Sequence, residues 1–119
     1  DLLADLYAAM DLYVAPGSAE TFGLSAMEAM ASGLPVLSVD RGGVSEAVSL
    51  SGAGRLYTSG DPGHLAGCAI DLFDQDLPAL GRQGRRYAEE HHGWDAVLGR
   101  LFDVYRRVLG VTLSEAKGA

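Results

Sequence analysis

The sequence has few basic residues, and this limits the partners it can bind. Nine lysines and arginines stand against 16 aspartates and glutamates, which gives a formal net charge of −7. Such a charge opposes the counterion release that drives nucleic-acid binding, and it opposes docking on an anionic membrane. We therefore expect no nucleic-acid partner.

Cysteine and long apolar runs are also scarce. The single cysteine, Cys68, excludes an internal disulfide and suits a reducing compartment. Its place on the apolar side of a predicted helix favours a small buried thiol over a nucleophile. No apolar run approaches the roughly 18 residues of a membrane span. We expect a cytoplasmic protein without an integral membrane segment, and a peripheral position at the inner membrane stays open for the full-length protein.

The residues that are present are typical of one small globular domain. Hydrophobic residues make up 48% of the 119 positions, which excludes a disordered tail. The 16 glycines suit short loops that turn tightly or approach a ligand. The chain opens inside a helical pattern and without an initiator methionine, so we expect a further segment upstream.

Helices and strands alternate along the sequence. Apolar spacing bounded by glycine and proline predicts strands at 12–15, 36–39 and 55–58. The same signals predict helices at 2–10, 22–31, 44–48, 62–73, 77–90 and 94–108, with Asp61 as the N-cap of the fourth. This order predicts an α/β fold with a parallel sheet, and three strands are too few for such a sheet alone. We expect residues 1–110 to be part of a larger domain and residues 111–119 to be a flexible tail.

The candidate ligand site lies where the predicted strands end. In an open parallel sheet, ligands bind at the carboxyl ends of the strands, which selects the loop 16–21 and the turn at Gly42–Gly43. Both lead into helix starts, and free N–H groups there attract anions. Gly23, Leu24 and Ser25 therefore form a candidate anion seat. A glycine near a helix start is more often only structural, so that alternative stays open.

Two glutamates flank this seat. Glu28 is the only charged residue between Phe22 and Ala31, and a carboxylate buried without a partner is costly, so it must face solvent, a protein donor or a ligand hydroxyl. Glu20 lies in the loop, where it can point across the same cleft. Carboxylates that accept from sugar and ribose hydroxyls on either side of a diphosphate suit a nucleotide sugar. The alternative is a loop charge or N-cap at Glu20 and a solvated helix face at Glu28.

Three further features are weaker candidates. Arg41 stands beside Gly42–Gly43 and could reach a phosphate. Glu46 lies in the first turn of the following helix, where its interaction with the helix dipole is as good an explanation as contact with a donor. The pair His91–His92 lacks the spacing that puts metal ligands on one helical face. We therefore predict no metal and no cofactor.

One long motif identifies a resemblance. Glu20-Thr-Phe-Gly-Leu-Ser-Ala-Met-Glu28, followed by Ala-Met-Ala-Ser-Gly-Leu-Pro-Val and by Gly42–Gly43 with Glu46, closely resembles the donor-binding half of retaining GT-B glycosyltransferases, especially family 4, glycosyl transferases group 1. The resemblance extends into the last helix and covers nearly the whole chain. It implies a Rossmann-like three-layer parallel sheet that is a partial half of a GT-B fold. Residues 1–110 would then be the C-terminal part of the nucleotide-sugar-binding domain.

The resemblance also implies roles for individual residues. Glu20 would contact hydroxyls of the transferred sugar, and Phe22, Gly23 and Leu24 would line the sugar and the diphosphate. Glu28 would hold the ribose hydroxyls, and neither glutamate would be a covalent nucleophile. The substrate would be a nucleotide-diphosphate sugar, bound without a metal.

The same resemblance limits what this chain can do by itself. In the family, the basic residues for the diphosphate and the N-terminal acceptor domain lie upstream of the matching segment. We therefore expect the 119 residues alone to be inactive, and we assign no catalytic residue within them. A non-enzymatic nucleotide- or sugar-binding module is the alternative function.

Overall fold

The computed structural model describes residues 2–17 and 23–110. Within them, three helix–strand pairs are followed by three further helices. The elements are α1 (Leu2–Ala8), β1 (Tyr13–Ala15), α2 (Leu24–Ala31), β2 (Val36–Val39), α3 (Gly43–Ser51), β3 (Gly54–Tyr57), α4 (Pro62–Phe73), α5 (Leu77–His92) and α6 (Trp94–Leu109). The chain divides into two compact units, Asp1–Ala88 and Glu89–Ala119. The predicted tail 111–119 lies outside the described residues, and the predicted boundary at residue 110 stays a prediction.

The three strands form a parallel sheet in the order β1-β2-β3. Tyr13 is in register with Val36, and Val36 is in register with Gly54. All four residues of β2 are buried, as expected for a central strand that is covered on both faces. The predicted parallel α/β sheet is therefore confirmed.

Apolar clusters lie on the two faces of the sheet, because successive side chains of a strand point in opposite directions. Val36 of β2 packs with Met30 of α2 and Val48 of α3. Leu37 of the same strand packs on the other face with Cys68 and Leu72 of α4. Helices thus cover both faces, which makes the predicted three layers. The thiol of Cys68 is buried, as predicted.

Within the first unit, glycine allows α5 to pack closely against the turn that follows α2. Gly81, Gly84 and Ala88 are the buried residues of this helix. A Cβ added at Gly81 would lie 1.8 Å from the carbonyl oxygen of Gly33, much closer than any real contact. Only glycine therefore lets the α5 backbone pass this point.

The end of α3 differs from the predicted one. Helix α3 continues to Ser51, beyond the predicted end at Val48, because the left-handed residue that ends it is Gly52 with φ 66°. Helix α4 begins as predicted, with Asp61 as N-cap and Pro62 in the first turn. None of the side chains of α6, all of which are described, is buried. No helix within residues 2–17 and 23–110 combines the length and the apolar character needed to cross a membrane.

Candidate functional site

The carboxyl ends of β1 and β2 lead into the starts of α2 and α3. Because neighbouring parallel strands end at the same edge of a sheet, both helix starts lie at that edge. Gly23 is the N-cap of α2, with φ 61° and ψ 45°, and Gly42 is the N-cap of α3, with φ 91° and ψ 179°. Neither residue has a side chain that could accept from the first N–H groups of its helix.

The third helix start at this edge is different, because a carboxylate of the chain caps it. The Oδ1 atom of Asp61 accepts a hydrogen bond of 2.8 Å from the backbone N–H of His64 in α4. His64 is exposed, and its Nδ1 accepts from the backbone N–H of Thr58 at 2.9 Å. An anion at α4 would meet the Asp61 carboxylate, so α2 and α3 are the helix starts at this edge that suit an anion.

The predicted anion seat lies in the first turn of α2. Gly23 is buried, and its carbonyl oxygen accepts a 2.9 Å hydrogen bond from the N–H of Met27. Its φ of 61° is a conformation that residues with side chains rarely adopt. Leu24, the next residue, is 71% exposed, so a large apolar side chain lies open to solvent beside the seat. Gly23, Leu24 and Ser25 thus lie at the start of α2, while a bound anion there stays a prediction.

Glu28 lies one turn further along α2 and is exposed. Its Oε2 atom accepts a hydrogen bond of 3.3 Å from the hydroxyl of Tyr7 in α1. The same hydroxyl lies 3.3 Å from the carbonyl oxygen of Ser25, so the carboxylate leans back toward the start of α2. A carboxylate has about four acceptor positions, and one tyrosine bond leaves the others for a ligand.

A pocket opens beside this carboxylate. Its volume is about 310 Å³, and it lies between α1 and α2. Its lining residues are Leu3, Ala4, Tyr7, Glu28, Ala31 and Ser32. Two of the three environments predicted for Glu28, solvent and a protein donor, are therefore present together. A ligand hydroxyl, the third, has room to enter.

Tyr7 is a site residue that the sequence reasoning missed. It is 7% exposed, and its ring centroid lies 6.2 Å from that of Tyr13. Burial and, second, the charge of Glu28 raise the pKa of the Tyr7 phenol above its ordinary value, so its hydroxyl is a donor at neutral pH. The sequence carries only a partial signal, since a buried tyrosine needs a hydrogen-bond acceptor and Glu28 is the only charged residue of α2, but no local pattern pairs the two.

The loop after β2 holds the weaker candidates. Asp40 joins the ends of two strands, because its Oδ1 accepts from the N–H of Ser59 at 3.2 Å. The Nε atom of Arg41 lies 4.0 Å from the same oxygen, and the Arg41 side chain is 74% exposed. Glu46 is in the first turn of α3, as predicted. Contact of Arg41, Gly42, Gly43 or Glu46 with a ligand stays a prediction.

Some predicted site residues cannot be placed. Glu20 and Phe22 lie outside the described residues, so the arrangement of the two glutamates across a cleft stays a prediction. Among residues 2–17 and 23–110, no group of three or more His, Cys, Asp or Glu side chains is placed to hold a metal ion.

In the second unit, burial and then Arg100 and His91 lower the pKa of His92.

Known proteins with similar sequences are glycosyltransferases by name. The family model of glycosyl transferases group 1 matches residues 1–75. D-inositol 3-phosphate glycosyltransferase 2 of Catenulispora acidiphila is 38% identical over 107 residues, which are 88% of this chain and 25% of that protein. D-inositol 3-phosphate glycosyltransferase of Streptomyces coelicolor is 40% identical over 105 residues, which are 87% of this chain and 23% of that protein. The chain spans about a quarter of the length of these relatives.

A solved structure has a similar fold. Sucrose-phosphate synthase from Thermosynechococcus elongatus superposes with a TM-score of 0.78 and 31% sequence identity. The match covers 93% of this chain and 28% of that one. The likeness thus extends over nearly all of the present chain and over a minor part of the synthase.

Proposed function

The chain belongs to the glycosyl transferases group 1 family and forms part of a GT-B fold, as the motif predicted, and from this premise we propose that it is the donor-binding part of a retaining glycosyltransferase. The full-length protein transfers a sugar from a nucleotide-diphosphate sugar to an acceptor. The exposed Glu28 carboxylate, beside an open pocket and one turn from the start of α2, is the observation that carries this proposal.

The first turn of α2 would hold the diphosphate. The N–H groups of Leu24 and Ser25 lie at the positive end of the helix dipole, and Gly23 has no side chain to obstruct a phosphate. Negative charge grows on the leaving phosphate as the bond to the anomeric carbon breaks. A preorganised donor aimed at such a charge lowers the barrier by about 3 kcal/mol in other enzymes. The helix start would therefore assist departure of the nucleotide without a metal.

Glu28 would hold the ribose. Its carboxylate is an acceptor, so it fits hydroxyl donors and is unsuited to phosphate oxygens. It lies four positions after Leu24, which is about 6 Å along a helix. That spacing is close to the reach from the ribose hydroxyls to the phosphates of a nucleoside diphosphate. One helix can then bind both parts of the donor.

The remaining roles complete the donor site. Glu20 would accept from hydroxyls of the transferred sugar, and Phe22 would line the same sugar, as the family resemblance implies. Arg41 and the Gly42–Gly43 turn, with Glu46, would form the opposite wall at the start of α3. Neither glutamate is proposed as a nucleophile.

The acceptor side lies beyond this chain. Because the chain spans about a quarter of its relatives, we propose that it is inactive alone and needs the acceptor domain. The two relatives are named for D-inositol 3-phosphate, which is therefore the first acceptor to test. A cytoplasmic location and a part in glycan biosynthesis belong to the same proposal.

Calorimetric titration of the full-length protein tests the assignment of roles. UDP, GDP and ADP would be titrated with and without an attached sugar into the wild type and two variants. We expect Glu28→Ala to weaken binding of the bare nucleoside diphosphate about tenfold or more, because the substitution removes charge-assisted hydrogen bonds. Glu20→Ala should weaken mainly the binding of the sugar-bearing donor. Glu90→Ala, which removes an exposed carboxylate of α5, is the matched control and should change neither.

Three results would change this account. Equal loss of both ligands in both glutamate variants would reject the division of roles. Tight donor binding without transfer to D-inositol 3-phosphate or to other sugar and lipid acceptors would favour the non-enzymatic binding module. Absence of binding to every donor would refute the proposed function.

A further inference from the structure

Tyr7 connects the two parts of the donor site on α2. Its hydroxyl lies 3.3 Å from Oε2 of Glu28 and 3.3 Å from the carbonyl oxygen of Ser25. Glu28 is the carboxylate proposed for the ribose, and Ser25 belongs to the first turn proposed for the phosphates. One buried phenol on α1 thus contacts both at once.

We propose that Tyr7 is a positioning residue of the donor site, an inference that rests on the proposed function. Its hydroxyl holds one oxygen of Glu28, so that the remaining acceptor positions of the carboxylate face the pocket between α1 and α2. Tyr7 itself contacts no reacting atom. Its effect on the donor passes through Glu28.

The mobility of the two side chains explains why such a residue is needed. An exposed glutamate has three rotatable bonds, and fixing them when a ligand binds costs free energy. Tyr7 has two, and burial against the ring of Tyr13 already restricts them in the free protein. A hydrogen bond from a rigid donor therefore prepares the Glu28 carboxylate before the nucleotide arrives.

The geometry also explains why the donor is a neutral hydroxyl. A lysine or arginine at this position would neutralise Glu28 and compete with ribose hydroxyls for its oxygens. A phenol donates one hydrogen bond and adds no positive charge, because burial and, second, the charge of Glu28 raise the pKa of the phenol and keep it protonated. The Tyr7–Glu28 pair thus retains an anionic acceptor with a fixed orientation.

A double-mutant cycle on the full-length protein tests this role. The variants are Tyr7→Phe, Glu28→Ala and the two combined, titrated with UDP, GDP and ADP. Tyr7→Phe should weaken binding of the nucleotide that the wild type binds about five- to tenfold, because the freed Glu28 side chain must then be ordered when the ligand binds. KM for the sugar donor should rise, and kcat should change little. In the Glu28→Ala background, Tyr7→Phe should cause no further loss.

Tyr13→Phe is the matched control. It removes a hydroxyl from the neighbouring ring, and no hydrogen bond within the described residues joins that hydroxyl to Glu28. It should bind nucleotide like the wild type. Circular dichroism would show that each variant is folded.

The outcomes separate this inference from the proposed function. Unchanged nucleotide affinity in Tyr7→Phe, alongside weakened binding in Glu28→Ala, would overturn the role of Tyr7 alone. The same loss from Tyr7→Phe in both backgrounds would also overturn it, because Tyr7 would then act through helix packing. Wild-type-like binding in Glu28→Ala, or none of the three nucleotides bound by the wild type, would overturn both.

Discussion

Tyr7 makes a contribution to the free energy of unfolding that depends on pH. Burial, followed by the charge of Glu28, raises the pKa of its phenol above the ordinary value of 10.0. The protonated form is therefore favoured in the folded state relative to the unfolded state. This contribution is fully present below the unfolded-state pKa and is lost as the pH rises through the folded-state pKa.

We predict that the free energy of unfolding falls above about pH 10 more steeply in the wild type than in Tyr7→Phe. Urea denaturation between about pH 8 and about pH 11 measures this dependence. Tyr105→Phe removes an exposed phenol of α6, retains both Tyr7 and the neighbouring Tyr13, and should keep the wild-type slope. Equal slopes in the wild type and Tyr7→Phe would show that the fold does not perturb this phenol.

At the scale of the element, the cap of α4 shows how a helix start is closed. The Asp61 carboxylate accepts from the N–H of His64 at 2.8 Å. We predict that Asp61→Ala lowers the free energy of unfolding by about 1 kcal/mol, whereas Asp61→Asn keeps an acceptor and most of the stability. Urea denaturation of both variants checks this. Equal losses in the two variants would mean that the cap hydrogen bond is not the stabilising interaction.

Two helical glycines provide a matched test of close packing. A Cβ at Gly81 of α5 would lie 1.8 Å from the carbonyl oxygen of Gly33, whereas one at Gly67 of α4 would meet nothing within 4 Å. We predict that Gly81→Ala destabilises the protein by about 1–3 kcal/mol, because the helix must move away. Gly67→Ala should instead stabilise it by up to about 1 kcal/mol through helix propensity. Thermal unfolding measures both, and changes of the same sign would contradict this account of α5 packing.

The elements were predicted well where local chemistry determines them. Strand β2 is a short run of apolar and small residues between Pro35 and a charged pair, and its bounds match the prediction. The end of α3 was placed three residues too early. Its last turn contains serines, which favour turns as readily as helices, and the left-handed Gly52 that ends the helix depends on tertiary packing.

At the scale of the whole molecule, the sequence predicts the spacing of candidate site residues along one helix but not the contacts between helices. Gly23 and Glu28 share one helix, so their spacing follows from helix geometry and could be read from the sequence. The bond from Tyr7 to Glu28 spans 21 positions and two helices. It depends on how α1 and α2 pack, which no local pattern encodes.

The boundary between the two compact units could not be predicted from the sequence pattern either. The sequence pattern of α5 is that of one amphipathic helix, yet the boundary between the two compact units lies within it, after Ala88. The periodicity of a helix records which of its faces is apolar. It does not record which part of the molecule covers that face, so the unit boundary required the structure.

We propose that Glu28 and the start of α2 bind the nucleotide of an activated sugar. A crystal structure of the full-length protein with whichever of UDP, GDP or ADP binds tightest tests it most directly. We predict ribose hydroxyls at about 2.7 Å from the Glu28 carboxylate and a phosphate on the N–H groups of Leu24 and Ser25. Tyr7 should still donate to the same carboxylate. A nucleotide bound elsewhere, with Glu28 contacting Tyr7 and solvent alone, would contradict the account.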